Sequence, residues 1–228
     1  MSNDAALTLL FDLDGTLSDN FPGISRSIRY ALIRLGVDGP DDAELRRCVG
    51  PPLRETFARL LSTQDSARIE QAIDFYRERY ADVGWRENTI YEGVPGMLAS
   101  AATRPGRRYL CTSKPDVFAR QIVALFEFSQ FLDGVYGADL AGRYDDKATL
   151  LAHLAASEQV DLGAAIMIGD RSHDVRAASR NGARSIGVLW GYGSRDELTG
   201  ADAIITHPGD LMDAVDAVKG RGMRAPDS

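Results

Sequence analysis

Short, unbroken apolar runs alternate with stretches of helical periodicity along most of the chain. Leu7-Thr8-Leu9-Leu10-Phe11 is the first run, and Arg108–Cys111, Ala164–Ile168, Ser185–Leu189 and Ala203–Ile205 follow. Runs of this length without polar alternation predict strands buried on both faces, as in a parallel sheet. Between them, Pro115–Phe126 places Val117, Ile122, Val123 and Phe126 at helical spacing, with Pro115 suited to a helix start. Lys147–Glu158 carries Leu150, Leu151 and Leu154 in the same way, and Asp174–Asn181 precedes Gly182, a natural helix stop. Strand–helix alternation predicts an α/β fold: a Rossmann-like, parallel-sheet core with helices on both faces.

From about Asn20 to Glu87 the alternation breaks and no strand pattern is found. Ile24, Ile28, Ala31, Leu32 and Leu35 define one amphipathic helix, ended by Gly36; Asp41–Cys48, Leu53–Leu61 and Ser66–Tyr80 predict three more. The expected organisation is an α/β core of residues 1–17 and 90–228 carrying an inserted all-helical cap, 18–89. Gly50-Pro51-Pro52 reads as a rigid loop in the cap, Glu92-Gly93-Val94-Pro95-Gly96 as a hinge, and 221–228 as a flexible tail.

Composition narrows the function classes. The 228 residues include 26 Lys plus Arg and 33 Asp plus Glu, for a net charge of −7. A mildly acidic chain argues against nucleic acid or an anionic membrane as partner, though not against a phosphorylated small molecule. No segment approaches the roughly 20 apolar residues of a membrane-spanning helix. The two cysteines, Cys48 and Cys111, have no metal-ligand spacing and read as reduced thiols. The expectation is a cytoplasmic monomer or homodimer. No P-loop or G-x-G-x-x-G pattern occurs.

Candidate chemistry begins at the end of the first run, in Asp12-Leu13-Asp14-Gly15-Thr16. Residues two apart in an extended segment point the same way, so both carboxylates leave the strand's carboxyl end together, where open α/β sheets bind ligands. Two close carboxylates repel, and a hard cation such as Mg²⁺ is the natural compensation. Gly15 lets the backbone pass close by. An acidic turn capping a strand is the plainer alternative. Taken singly, Thr112-Ser113 also fits a strand-to-helix cap, Lys147 a solvated helix-start lysine, and Asp170 and Asp174 loop and N-cap residues. None of His153, His173 and His207 has a partner at metal-ligand spacing. Trp190-Gly191-Tyr192-Gly193 follows a strand and suits the rim of a site.

Phe11-Asp12-Leu13-Asp14-Gly15-Thr16-Leu17 resembles the first motif of the haloacid dehalogenase superfamily. Three later stretches resemble its other motifs in order: Tyr109-Leu110-Cys111-Thr112-Ser113-Lys114; Lys147, heading a helix; and Ile166-Met167-Ile168-Gly169-Asp170 with Asp174. Lys147 is followed by Ala148 where many relatives have proline, and Arg143 lies nearby as a minor competitor for its role. The resemblance is closest to phosphoglycolate phosphatases with a small helical cap.

That resemblance implies a Mg²⁺-dependent phosphomonoester hydrolase acting through an aspartyl phosphate. It implies Asp12 as nucleophile and Asp14 as the acid that protonates the leaving alcohol and then deprotonates water. Mg²⁺ would be held by Asp12, the Asp14 carbonyl and Asp170, with Asp174 binding directly or through water. Gly15, Thr16, Thr112, Ser113 and Lys147 would bind the phosphoryl group, with Arg54 of the cap as a contact for an anionic substrate. The substrate would be a small phosphorylated metabolite: phosphoglycolate-like, a sugar phosphate or a nucleoside monophosphate. Asp14 speaks against dehalogenation, which needs no leaving-group acid. A sugar phosphomutase of the same fold and a non-catalytic phosphometabolite-binding protein are the competing readings.

Overall fold

The computed structural model describes residues 7–139 and 143–220. In chain order the elements are β1 (Thr8–Phe11), β2 (Ser18–Asp19), α1 (Phe21–Arg34), α2 (Asp42–Arg46), α3 (Leu53–Leu60), α4 (Ser66–Asp82), β3 (Thr89–Ile90), α5 (Val94–Ala102), β4 (Arg107–Pro115), α6 (Asp116–Leu125), β5 (Gly134–Ala138), α7 (Lys147–Glu158), β6 (Ala165–Gly169), α8 (Ser172–Arg180), β7 (Arg184–Val188), β8 (Ala203–Ile205) and α9 (Leu211–Lys219). They form two compact units, one drawn from Met1–Ser18 and Ile90–Ser228, the other Asp19–Thr89. The expected tail, 221–228, lies outside the described residues.

The first unit is built on a six-stranded sheet of order β5-β4-β1-β6-β7-β8, parallel throughout. β1 and β6 are buried at every residue, as expected of strands covered on both faces by helices. Leu10, Tyr109, Cys111 and Met167 pack with Leu150, Leu151 and Leu154 of α7 and Ala177 and Ala178 of α8 into one apolar cluster. Each large side chain so buried contributes about 1.5–3 kcal/mol relative to exposure.

Several elements depart from the sequence reading, among them β2, β3 and α9, for which no pattern is read. β5 is not among the expected strands: Gly134-Val135-Tyr136-Gly137-Ala138 holds two glycines and is only partly buried, as befits an edge strand. Val94-Pro95-Gly96, expected as part of a hinge, is the first turn of α5, where proline's fixed φ and missing N–H cost nothing.

The second unit is helical between Phe21 and Arg86, with four α-helices and a closing 3₁₀ turn, Gly84–Arg86. α1 buries Ile24, Ile28, Ala31 and Leu32, and α4 buries Ile69, Ala72, Ile73, Tyr76 and Tyr80. Phe57 of α3 meets Tyr76 edge-on at 6.2 Å, and Tyr76 stacks on Tyr80 at 5.3 Å. Asp41 caps α2 and Asp65 caps α4 through their side chains. Arg54, the expected substrate contact, is exposed on α3 and paired with Glu70.

Candidate active site

In this sheet order the chain leaves β1 to one side for β4 and returns to the other for β6, making β1 the switch point of the topology. Parallel register pairs Phe11 with Leu110 and with Ile168. Asp12 and Asp170 therefore stand just past the carboxyl ends of β1 and β6, beside the stretch of β4 that carries Thr112. The Asp12 N–H continues the ladder to the Ile168 carbonyl at 2.9 Å, which fixes the residue's backbone.

Helix starts bring in the remaining groups. Asp146 caps α7, its carboxylate accepting from the Thr149 N–H at 3.2 Å, so Lys147 is the first helical residue. The Lys147 ammonium reaches Asp12 at 2.9 Å and Asp174 at 2.5 Å. Asp174 sits in the first turn of α8, where its other oxygen accepts from the Arg171 N–H at 3.0 Å. A carboxylate is favoured there by the positive end of the helix dipole. Arg143, the alternative to Lys147, is exposed and paired with Asp139.

Asp12, Asp170 and Asp174 offer carboxylate oxygens that all lie within 4.8 Å of one another, and all three residues are buried. Asp170 is 0% exposed, and its Oδ1 has no hydrogen-bond partner among the described residues. Burial, then repulsion from Asp174 and Asp12, holds the Asp170 carboxyl well above the usual range. Burial also pushes Asp174 up to about 6, against the pull of Lys147. The Lys147 ammonium is opposed by burial, yet Asp12 and Asp174 outweigh that and raise its affinity for the proton. A site with this oxygen-only donor set, excess negative charge and an unpartnered carboxylate oxygen fits a divalent cation.

Asp14 follows a different course. Its carboxylate is not in this cluster; it pairs with the Lys114 ammonium at 2.5 Å, and both side chains are largely buried. Each of the two carboxylates of the Asp12-Leu13-Asp14 segment therefore has its own lysine. Lys114 closes the second motif, yet sequence reasoning assigns it no role.

The turn after β1 is shaped by its neighbours. Gly15 adopts φ of 84°, and its N–H donates to the Ser18 carbonyl at 2.9 Å; a Cβ here would run into the Asp170 carboxylate. Thr16 is buried, and its carbonyl accepts from the Trp190 indole N–H at 2.9 Å. Two residues on, the Tyr192 N–H donates to Asp170 Oδ2 at 2.8 Å. The Trp190–Gly193 segment thus holds both the turn and the acidic cluster. Thr112 is buried, with Oγ1 accepting from the Lys114 N–H at 3.3 Å, and Ser113 is half-buried beside it. His173 lies in the first turn of α8, half-buried, with burial lowering its proton affinity.

Among the described residues no helix is long and apolar enough to cross a membrane. The profile of the family described as haloacid dehalogenase-like hydrolase matches residues 9–188. The chain is 46% identical over 198 residues to a 5'-nucleotidase of Pseudomonas aeruginosa, covering 86% of this chain and 89% of that one. It is 36% identical to the tyrosine-protein kinase PtkA of Mycobacterium tuberculosis, over 87% of this chain and 68% of that one. A phosphoglycolate phosphatase of Cupriavidus necator is 30% identical over 96% and 95% of the two chains. A crystal structure of a predicted phosphatase from Clostridium acetobutylicum superimposes with a TM-score of 0.88 at 34% identity, covering 93% and 99%. The four motifs, the parallel sheet that carries them and these matches together place the chain in the haloacid dehalogenase-like hydrolase family, as one of its phosphatases.

Proposed function

We propose that this phosphatase hydrolyses phosphomonoesters of small metabolites through a phosphoryl group carried on Asp12, with nucleoside 5'-monophosphates as the first substrate class to test. The observation that carries the reading is the pairing of Asp12 and Asp14 with separate buried lysines, Lys147 and Lys114. Asp12 shares its lysine with Asp174 inside the acidic cluster, whereas Asp14 stands outside that cluster, so the two carboxylates have different surroundings, as two different chemical tasks require. The choice of nucleotides rests on the 46% identity to the 5'-nucleotidase. Phosphoglycolate and sugar phosphates remain in the panel because a phosphate-reading core serves many leaving groups.

In this reading Asp12 attacks phosphorus in line, and the P–O bond to the leaving alcohol breaks as the acyl phosphate forms. Asp14 gives its proton to that alcohol, then takes one from the water that cleaves the acyl phosphate. Lys147 keeps Asp12 in place and balances charge on the phosphoryl oxygens. Thr112 and Ser113 contact those oxygens. Asp12, Asp170, Asp174 and the Asp14 carbonyl would hold Mg²⁺. Bound there, Mg²⁺ supplies positive charge that offsets the negative charge of nucleophile and phosphoryl group. The helical unit, 19–89, is assigned the choice of leaving group as a cap, since the core motifs address only the phosphoryl group.

The test is phosphate release from nucleoside 5'-monophosphates, phosphoglycolate, sugar phosphates and an aryl phosphate, with Mg²⁺ and with EDTA. Mg²⁺-dependent release, greatest for a nucleotide, is expected. Isomerised sugar phosphate without net release would instead establish a mutase. Binding without turnover of any member would establish a non-catalytic protein.

A further inference from the structure

Lys114 is a buried cation that the mechanism above does not use as a reacting group. Lysine is seldom buried unless its charge has a fixed partner. Here the partner is Asp14, at 2.5 Å. The strand that carries Lys114 is distorted to deliver it. β4 pairs with β5 in regular register from Tyr109 to Thr112, where Thr112 faces Gly137. The next pair is Pro115 with Ala138, so β4 spends two extra residues, Ser113 and Lys114, against one step of its neighbour. Bulges of this kind re-aim a side chain beside an active site.

Two independent features hold the bulge. Thr112 Oγ1 accepts from the Lys114 N–H at 3.3 Å, pinning the backbone from within. On β5, Gly137 leaves the space the bulge occupies: a Cβ at 137 would stand 2.7 Å from the Lys114 carbonyl oxygen and 2.6 Å from the Asp116 Cα. The direction of the pull also matters. β4 lies on one side of β1, and β6, which leads to Asp170, lies on the other. A lysine from β4 draws the Asp14 carboxylate away from the side on which Asp12, Asp170 and Asp174 crowd together.

We propose that Lys114 is a positioning residue: it holds the Asp14 carboxyl apart from the acidic cluster, where it can serve the leaving group. This rests on the reading of Asp14 as the leaving-group acid. Lys114 needs no contact with substrate, and its effect is exerted through Asp14.

The test compares kcat and KM of Lys114→Met, Asp14→Asn and the double variant, with Mg²⁺, on nitrophenyl phosphate and on an alkyl phosphomonoester such as a nucleoside 5'-monophosphate. Lys114→Met should lower kcat for the alkyl ester about 10–100-fold more than for the aryl ester, whose leaving group needs little proton donation. KM should change little. The double variant should be no slower than Asp14→Asn alone, because a residue acting through Asp14 has nothing left to act on. Lys114→Arg should recover part of the loss. If Lys114→Met does not fold, Lys114→Gln carries the same expectations. Equal losses on both esters, or a further loss in the Asp14→Asn background, would overturn the proposal. If Asp14→Asn is itself unselective between the esters, the acid role of Asp14 fails and this proposal with it. If Asp14→Asn is selective and the Lys114 variants are not, this proposal alone fails.

Discussion

Asp170→Asn should make the metal-free protein more stable while removing its stabilisation by Mg²⁺. Asp170 is fully buried within 4.8 Å of two other carboxylates. At that separation, with an effective dielectric constant of about 20, one pair of like charges repels by about 3 kcal/mol. Part of this is relieved because the carboxyl keeps its proton to higher pH, at about 1.4 kcal/mol for each pH unit. The amide is nearly the same shape and can still accept from the Tyr192 N–H. A net gain of about 1–3 kcal/mol is expected near neutral pH in EDTA, and for a chain of this size about 2–4 °C in Tm per kcal/mol.

The sign with pH follows from the raised value in the folded state. An unfolded aspartate ionises near pH 3.9, the folded one well above it. The penalty is absent below the unfolded value and grows as pH rises towards the folded value. The advantage of the variant should therefore fade towards about pH 4 and grow as pH rises above it. Mg²⁺ should act in the opposite sense. At 100 times its dissociation constant a ligand of the native state adds about 2.7 kcal/mol, and wild type should gain this while the variant gains little. Thermal melts in EDTA and in Mg²⁺, from about pH 4 to 8, provide the assay. A variant less stable than wild type in EDTA at neutral pH would refute the claim that Asp170 is held under electrostatic stress.

Lys147→Met strips from Asp12 and Asp174 the ammonium they share, and breaking a buried pair from one side costs about 3–5 kcal/mol; an unchanged Tm in EDTA would contradict this. Gly15→Ala forces a side chain into φ of 84° and onto the Asp170 carboxylate, costing about 1–3 kcal/mol of backbone strain before any clash; a calorimetric melt equal to wild type would refute the packing described. Both cysteines are buried, and burial pushes the Cys111 thiol up to about 12 and raises Cys48 as well. A disulfide reagent at about pH 8 should label neither thiol in the native protein and both after denaturation; rapid native labelling would show that one is accessible.

Much of the fold is legible in the sequence because two periodicities dominate the chain. Unbroken apolar runs such as Leu7–Phe11 and Ala164–Ile168 mark strands buried on both faces, and 3.6-residue spacing marks the helices of 21–82. Asp12, Thr112 and Asp170 can be located because each ends such a run. β5 escapes because Gly134 and Gly137 give no apolar pattern, although Gly137 is required by the bulge opposite. The link from Asp14 to Lys114 is hidden for a related reason. Pairing a lysine at the end of β4 with a carboxylate after β1 depends on a register shift between Thr112 and Pro115, which no local propensity encodes. The one clue is a lysine closing an otherwise buried strand. Likewise, nothing in Trp190-Gly191-Tyr192-Gly193 announces that the Tyr192 N–H holds Asp170, beyond glycines suited to close backbone approach.

The central claim is that Asp12 carries the phosphoryl group. Its most direct test is rapid acid quench of the enzyme turning over a nucleoside 5'-monophosphate with Mg²⁺, followed by peptide mass spectrometry. The account predicts one phosphoryl group on the peptide containing Asp12, lost on treatment with hydroxylamine, and none in Asp12→Asn, which should also lose at least about a thousandfold in kcat. A phosphoryl group on another residue, or near-normal turnover by a well-folded Asp12→Asn protein, would contradict it.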